Sequence, residues 1–324
     1  MEPAAAAEDS LPPRGGSGGG WSRAAALLLI AISVWIGRSS VVLVGVAYIA
    51  MATSLPVRRW PGYTLGALAA LLVFTGEREP LWWVERGWAL LVAGCFVAAT
   101  LRWPAARFIS RALGAIAAAA ALAALLVGAR GGWPLVEWQI GDQLPFGMGR
   151  VLSWMWEAAQ QSTPPPAPEV AEAVLRTMYE TMDAQARLFP ALAALGSLAG
   201  LGVSWWMYRQ VALGEDAGLR PLREFRFNDH LIWLFIAGLA LVLVDAGDAA
   251  ARAGSNVVTF MGALYVLRGA GVVAFFGGGQ TFFGLVMLVM ALLFAAPVVM
   301  AGALVVGLGD TWLDLRGRAR ALTT

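Results

Sequence analysis

The chain contains no lysine, a single cysteine and a single histidine, and only 14% of its residues are charged. Each shortage removes a class of function. Without lysine, a phosphate loop of the GxxxxGK[ST] kind cannot be built, so Gly277-Gly278-Gly279 reads as a turn. Cys95 lies inside an apolar run, which leaves no intramolecular disulfide and no CxxC metal or redox pair; it reads as a small buried hydrophobe. His230 alone excludes a multi-histidine site. The GxSxG spelling at Gly15–Gly19 falls in the glycine-rich tail, with no strand before it and no helix after it, so no nucleophile elbow and no catalytic triad is expected. The sequence therefore argues against an enzyme and implies no cofactor. A net charge of +2, with no basic patch interleaved with aromatics, implies no nucleic-acid partner.

What is abundant is apolar surface. Hydrophobic residues make up 59% of the 324 residues, with a mean hydropathy of +0.68. They gather into separate runs of span length, at about 22–36, 40–55, 62–75, 84–101, 108–128, 190–208, 230–246, 255–276 and 281–308. This pattern predicts an all-α fold, a polytopic transmembrane helix bundle. The first three runs are shorter than the usual ~20 residues and are expected to be tilted, interfacial or re-entrant. Pro297 interrupts the last run, which is long enough to hold a kink or a break.

Arginine placement orients the bundle. Arg58 and Arg59 share one short loop, Arg102, Arg107 and Arg111 another, and Arg209, Arg220, Arg223 and Arg226 a third. Alternating spans put all three on the side of the N-terminus, which the positive-inside rule assigns to the cytoplasm. Nine crossings would leave Arg316, Arg318 and Arg320 outside, against the same rule. About eight spans, with one run not a simple crossing, remove the conflict.

Three regions follow: a disordered Ala/Pro/Gly-rich tail at 1–20, a transmembrane helical domain at 21–316, and a C-terminal tail at 317–324. The acidic stretch at about 131–189 is an extracytoplasmic insertion. Pro164-Pro165-Pro166 divides it at a stiff joint. Trp133, Trp138, Trp154 and Trp156 suit a segment at the headgroup boundary. After the joint, Val170, Val174, Met178 and Met182 recur at helical spacing and predict an amphipathic helix leading into the span that begins at Pro190.

Candidate polar and structural residues are few. Arg268 stands near the middle of the otherwise uncharged run 255–276. A mid-span arginine costs roughly 2.5–3.5 kcal/mol on insertion scales and needs a partner or a watery cavity. Asp245, at the outer end of the preceding run, is the first choice of counter-charge, and Asp310 the second. Gly196 and Gly200 form a GxxxG pattern that lets helix backbones approach closely. The chain closes on Gly307-Leu-Gly309-Asp310-Thr-Trp312-Leu-Asp314-Leu-Arg316, with Asp310 and Asp314 on one helical face and Trp312 suited to the interface.

That ending resembles the C-terminal signature of the bacterial membrane proteins of the domain-of-unknown-function 2232 family. Leu188-Phe189-Pro190-Ala191, Phe225-Arg226-Phe227 before Trp233, and Asn256 before Leu264-Tyr265-Val266-Leu267-Arg268-Gly269 fit in order, over roughly residues 21–318. The resemblance implies a glutamine where this chain has Arg268. It also implies a likeness in overall design to the substrate-binding components of vitamin-type transporters and to a rod-shape membrane protein: a bundle of short, glycine-rich helices in the bacterial cytoplasmic membrane. Two functions remain open. One is transport-type binding of a small solute in the bundle, with the lipid bilayer around it. The other is a scaffold for envelope or division proteins.

Overall fold

The computed structural model describes residues 38–75, 80–130, 157, 168–215, 221–244, 247–277 and 282–321. The first apolar run, the N-terminal tail, most of the first half of the acidic insertion and Asp245 lie outside them. All elements among the described residues are helical: α1 (Arg38–Ser54), α2 (Trp60–Phe74), α3 (Pro80–Arg102), α4 (Phe108–Ala129), α5 (Pro168–Arg187), α6 (Phe189–Met207), α7 (Ile232–Leu243), α8 (Asp248–Phe276), α9 (Phe282–Leu313) and α10 (Leu315–Ala321). A π-helical turn, Tyr208–Leu213, extends α6, and short 3₁₀ turns at Leu222–Glu224 and Asp229–Leu231 lead into α7.

Among the described residues, five helices are long and apolar enough to cross a membrane: Trp82–Arg102, Phe108–Ala129, Phe189–Leu213, Asp248–Phe276 and Ala295–Leu313. Val41–Ser54, Trp60–Phe74 and Asp229–Leu243 are apolar but shorter. The shortness of α1 has a structural counterpart. Val42, Leu43, Val46, Ala47, Tyr48 and Met51 are all buried, so α1 is enclosed by its neighbours. In contrast, α2 buries only Gly62 and Val73.

The core forms where α1, α3, α6 and α8 meet, around Tyr48, Met51, Phe96, Leu201, Met261, Leu264 and Tyr265. Hydrocarbon supplies no hydrophobic drive between helices, so close packing and interhelical hydrogen bonds must hold them. Both are present. Trp88 donates to Ser197 Oγ at 2.9 Å, Ser204 to the Val44 carbonyl at 2.9 Å, Tyr48 to the Gly62 carbonyl at 3.0 Å and Tyr208 to the Pro56 carbonyl at 2.6 Å. A Cβ at Gly200 would stand 2.2 Å from Leu43 Cδ2, so this glycine seats α6 on α1 inside the chain.

The amphipathic helix expected after the triple proline is α5. It is largely exposed, and its charges pair along its own surface, Arg176 with Glu180 and Arg187 with Asp183, each at 3.0 Å. Its end is fixed by Asn256, which donates to the Arg187 carbonyl at 2.8 Å and accepts from the Ala191 backbone at 2.9 Å.

The last apolar run breaks, as Pro297 implies, and one boundary changes. Ala295, two residues before Pro297, leaves helical geometry (φ −136°, ψ 32°) and divides α9, because proline cannot donate to the preceding turn and its ring crowds that turn. Residues 317–321, expected as a tail, belong to the short helix α10, set off from α9 at Asp314, whose φ is +41°.

Candidate functional site

The loop before α7 and the ends of α8 and α9 carry the charges. Arg268 is 1% exposed and Asp310 fully buried. Arg268 donates from Nε to Asp310 Oδ2 at 2.9 Å, from Nη2 to the Asp310 carbonyl at 3.2 Å and from Nη1 to Asp229 Oδ1 at 2.5 Å. Arg316, 2% exposed, donates from Nη2 to the same Asp310 oxygen at 2.8 Å. Its Nη1 caps the carbonyls of Arg223 and Phe225, each at 3.0 Å. Arg226 hydrogen-bonds Asp314 and lies 3.9 Å from Asp310. The Arg226 contact holds the Asp314 carboxyl below its ordinary range. The cluster thus sets three arginines against three aspartates and is neutral as a unit.

The sequence singled out Arg268, Asp310, Asp314 and Arg316, and the structure brings these four together. Asp245, the first choice of counter-charge, lies outside the described residues; Arg268 is paired with Asp310, the second choice, and with Asp229. Helix α8 begins well before the uncharged run, so Arg268 sits in its last third, close to the loop that carries Asp229. Asp229 was missed because 3₁₀ turns and connecting loops leave no periodic pattern in a sequence. Gly196 and Gly200 lie elsewhere, on α6.

Glycines allow this cluster to close. A Cβ at Gly269 would stand 1.8 Å from the Ala303 carbonyl oxygen, and one at Gly307 would stand 2.0 Å from that of Tyr265. Backbone meets backbone here, which lets the side chains on either side, Arg268 and Asp310, reach each other. Leu222 closes over the same helix, its carbonyl 2.6 Å from where a Gly271 Cβ would be. Phe227 packs on Tyr265 with ring centroids 5.1 Å apart, and the Arg268 guanidinium lies 5.5 Å from the Phe227 ring centre.

Beside the cluster opens a cleft of about 410 Å³ lined by Arg107, Glu224, Arg226, Arg316 and Arg320. Four of the five lining side chains are cationic. Arg316 and Arg226 are committed to the aspartates, and Arg320 lies over Phe275 at 5.4 Å. Arg107 is exposed, immediately before α4. The five positions are too far apart in the chain to have been grouped from sequence; a basic short loop was the signal at Arg107.

The cleft also places the chain's ends relative to its loops. Arg316 and Arg320 share it with Arg107 and Arg226, so the C-terminal arginines lie at the same end of the bundle as the 102–111 and 209–229 loops. Arg58 and Arg59 join this end, because their backbone amides donate to the Ala212 carbonyl at 2.9 and 3.0 Å. Val73 and Arg86, joined at 2.8 Å, mark the other end of the α2–α3 pair.

An all-helical bundle with several apolar helices of span length, arginines gathered at one end and a buried ion cluster beneath them, defines a multi-pass membrane protein. The chain belongs to the family described as predicted membrane protein DUF2232, whose model matches residues 24–311. No curated protein and no solved structure matches the chain.

Proposed function

We propose that this protein is a transport-type membrane protein that binds a small anionic solute in the arginine-lined cleft. The observation that carries this reading is the cleft itself, with a lining of four arginines and one glutamate. Guanidinium groups offer forked donors matched to carboxylate and phosphate oxygens. Arg268 is not the recruiting charge, since Asp310 and Asp229 occupy it. It braces the floor beneath Arg316.

The arginine-rich end faces the cytoplasm of the bacterial cell, with the N-terminus on that side and the 131–189 insertion outside. The bundle has about eight crossings, and the broken run at Ala295 is the one that departs from a simple span. The reading supposes no chemical step, since no catalytic constellation lines the cleft. A scaffold for other membrane proteins is the second reading. It draws support from the cleft's position at one end of the bundle, where an acidic segment of a partner could reach it.

Titration calorimetry on the purified protein in neutral detergent tests the proposal, using phosphate, sulfate, succinate and glutamate as probes. Saturable binding of at least one anion is expected. It should weaken roughly tenfold or more in Arg107→Ala, the loss that goes with one charge-assisted hydrogen bond. Uptake of the bound anion by proteoliposomes separates transport from scaffolding. Failure of every anion to bind would overturn the reading.

A further inference from the structure

Arg111 is a buried arginine whose charge no carboxylate among the described residues balances. It is 8% exposed, and its Nε is sealed from solvent with no hydrogen-bond partner among the described residues. The other buried arginines differ: Arg268 and Arg316 share Asp310, and Arg86 lies 3.8 Å from Glu85 and donates to two carbonyls. No carboxylate among the described residues pairs with Arg111. The charged groups shown beside it among the described residues are cations. Arg209 is close enough to repel it, and Arg107 is one helical turn away, its carbonyl accepting from the Arg111 amide. Glu215, which follows the turn that carries Arg209, is held by Arg209 at 2.5 Å.

The walls of the site are aromatic. The Arg111 guanidinium carbon lies 4.9 Å from the Trp205 ring centre and 6.0 Å from that of Phe96. Phe108 stacks on Trp205 at 6.4 Å and meets Phe96 edge-on at 5.6 Å. Ring faces soften the loss of water around a cation, yet they carry no net charge. A counter-ion is still required, and the depth of Arg111 indicates where it comes from. The candidate span runs from Phe108 to Ala129, about 33 Å at 1.5 Å per residue, close to the thickness of a hydrocarbon core. Arg111 is three residues in from Phe108, about 4.5 Å below that boundary. An arginine at this depth snorkels towards the headgroups.

We propose that Arg111 binds a phosphate oxyanion and that its source is the headgroup of a phospholipid at the arginine-rich end of the bundle. The phosphate completes the charge of the site, and the aromatic wall of Phe96, Phe108 and Trp205 fixes the guanidinium that receives it. This site is separate from the cleft one turn above and stands whether or not the cleft binds a solute.

The test is thermal unfolding of the delipidated protein in neutral detergent, with three additions: phosphatidic acid, diacylglycerol of the same acyl chains, and inorganic phosphate. Phosphatidic acid should raise the Tm saturably, while diacylglycerol, which lacks the phosphate, should not. Arg111→Met should unfold at a higher temperature than the unaltered protein without lipid, because an unbalanced buried charge is gone. Its response to phosphatidic acid should need roughly tenfold more lipid or vanish. Arg107→Ala should keep that response. Equal stabilisation by diacylglycerol, or an unchanged response in Arg111→Met, overturns the site. Inorganic phosphate that is as effective as phosphatidic acid, and that loses this effect in Arg111→Met, overturns the lipid source. Should Arg111→Met not fold, the comparison of the two lipids on the unaltered protein still decides.

Discussion

Asp310 is paired with two buried arginines through one carboxylate oxygen, so it is the residue whose loss strands the most charge. Breaking a buried ion pair from one side costs about 3–5 kcal/mol, whereas removing both partners can be nearly neutral. Arg268→Leu and Asp310→Asn should each lower the Tm in detergent sharply, and the double variant should be far less destabilised than the sum. Simple additivity would show that the contact carries no coupling. Arg268→Gln should be milder than Arg268→Leu, since an amide still donates to Asp310 and the family resemblance implies glutamine at this position. Asp229→Asn should cost no more than about 1 kcal/mol, because its side chain is 61% exposed and solvent screens the pair. At this scale the sequence was informative about the cations and poor about their partners. Arg268 stood out because apolar runs make a charge visible, and Asp310 because it sits in a signature. Asp229 and Glu224 sit in a polar loop among other charges, where nothing marks one carboxylate over another.

Among the helices, the same small residues do two different jobs. At Gly200 an added methyl meets the end of a leucine side chain, which can turn aside; at Gly269 it meets a carbonyl oxygen of the facing backbone, which cannot. Gly302 has nothing within 4 Å of where its Cβ would be. Gly269→Ala should therefore lower folded yield and Tm strongly, Gly200→Ala mildly, and Gly302→Ala hardly at all. The ranking is checked by fluorescence-detected size exclusion on the three variants side by side. Equal behaviour of Gly269→Ala and Gly302→Ala would show that the α8–α9 crossing is looser than the backbone approach indicates. The GxxxG spacing drew attention to Gly200, since small residues four apart share a helix face, and a Cβ there would meet Leu43. It gave no warning of Gly269 and Gly307, which face each other from different helices. The break in α9 was readable from Pro297; its position at Ala295 was not, because the strain falls on the turn before the ring.

For the whole molecule, the arrangement of ends tests orientation without reference to any ligand. The hydropathy runs located nearly every described helix, because burial in lipid imposes long apolar stretches. Nine straight crossings would have set the C-terminal arginines apart from the other basic loops, and the arginine rule argued instead for about eight spans. The contacts place those arginines beside Arg107: the cleft joins Arg107 to Arg316 and Arg320, while Asn256 ties the end of α5 to the opposite end of α8. Ala105 and Arg318 are exposed near the first group, and Glu180 is exposed on α5. Single cysteines at these three positions, in a Cys95→Ala background, can be labelled with an impermeant thiol reagent on intact cells. Ala105→Cys and Arg318→Cys should behave alike and stay unlabelled until the membrane is opened. Glu180→Cys should be labelled from outside. If Ala105→Cys and Arg318→Cys differ, the shared basic end is wrong. If they agree with each other but label from outside, the bundle is inverted, and the arginines lie on the side that the positive-inside rule disfavours.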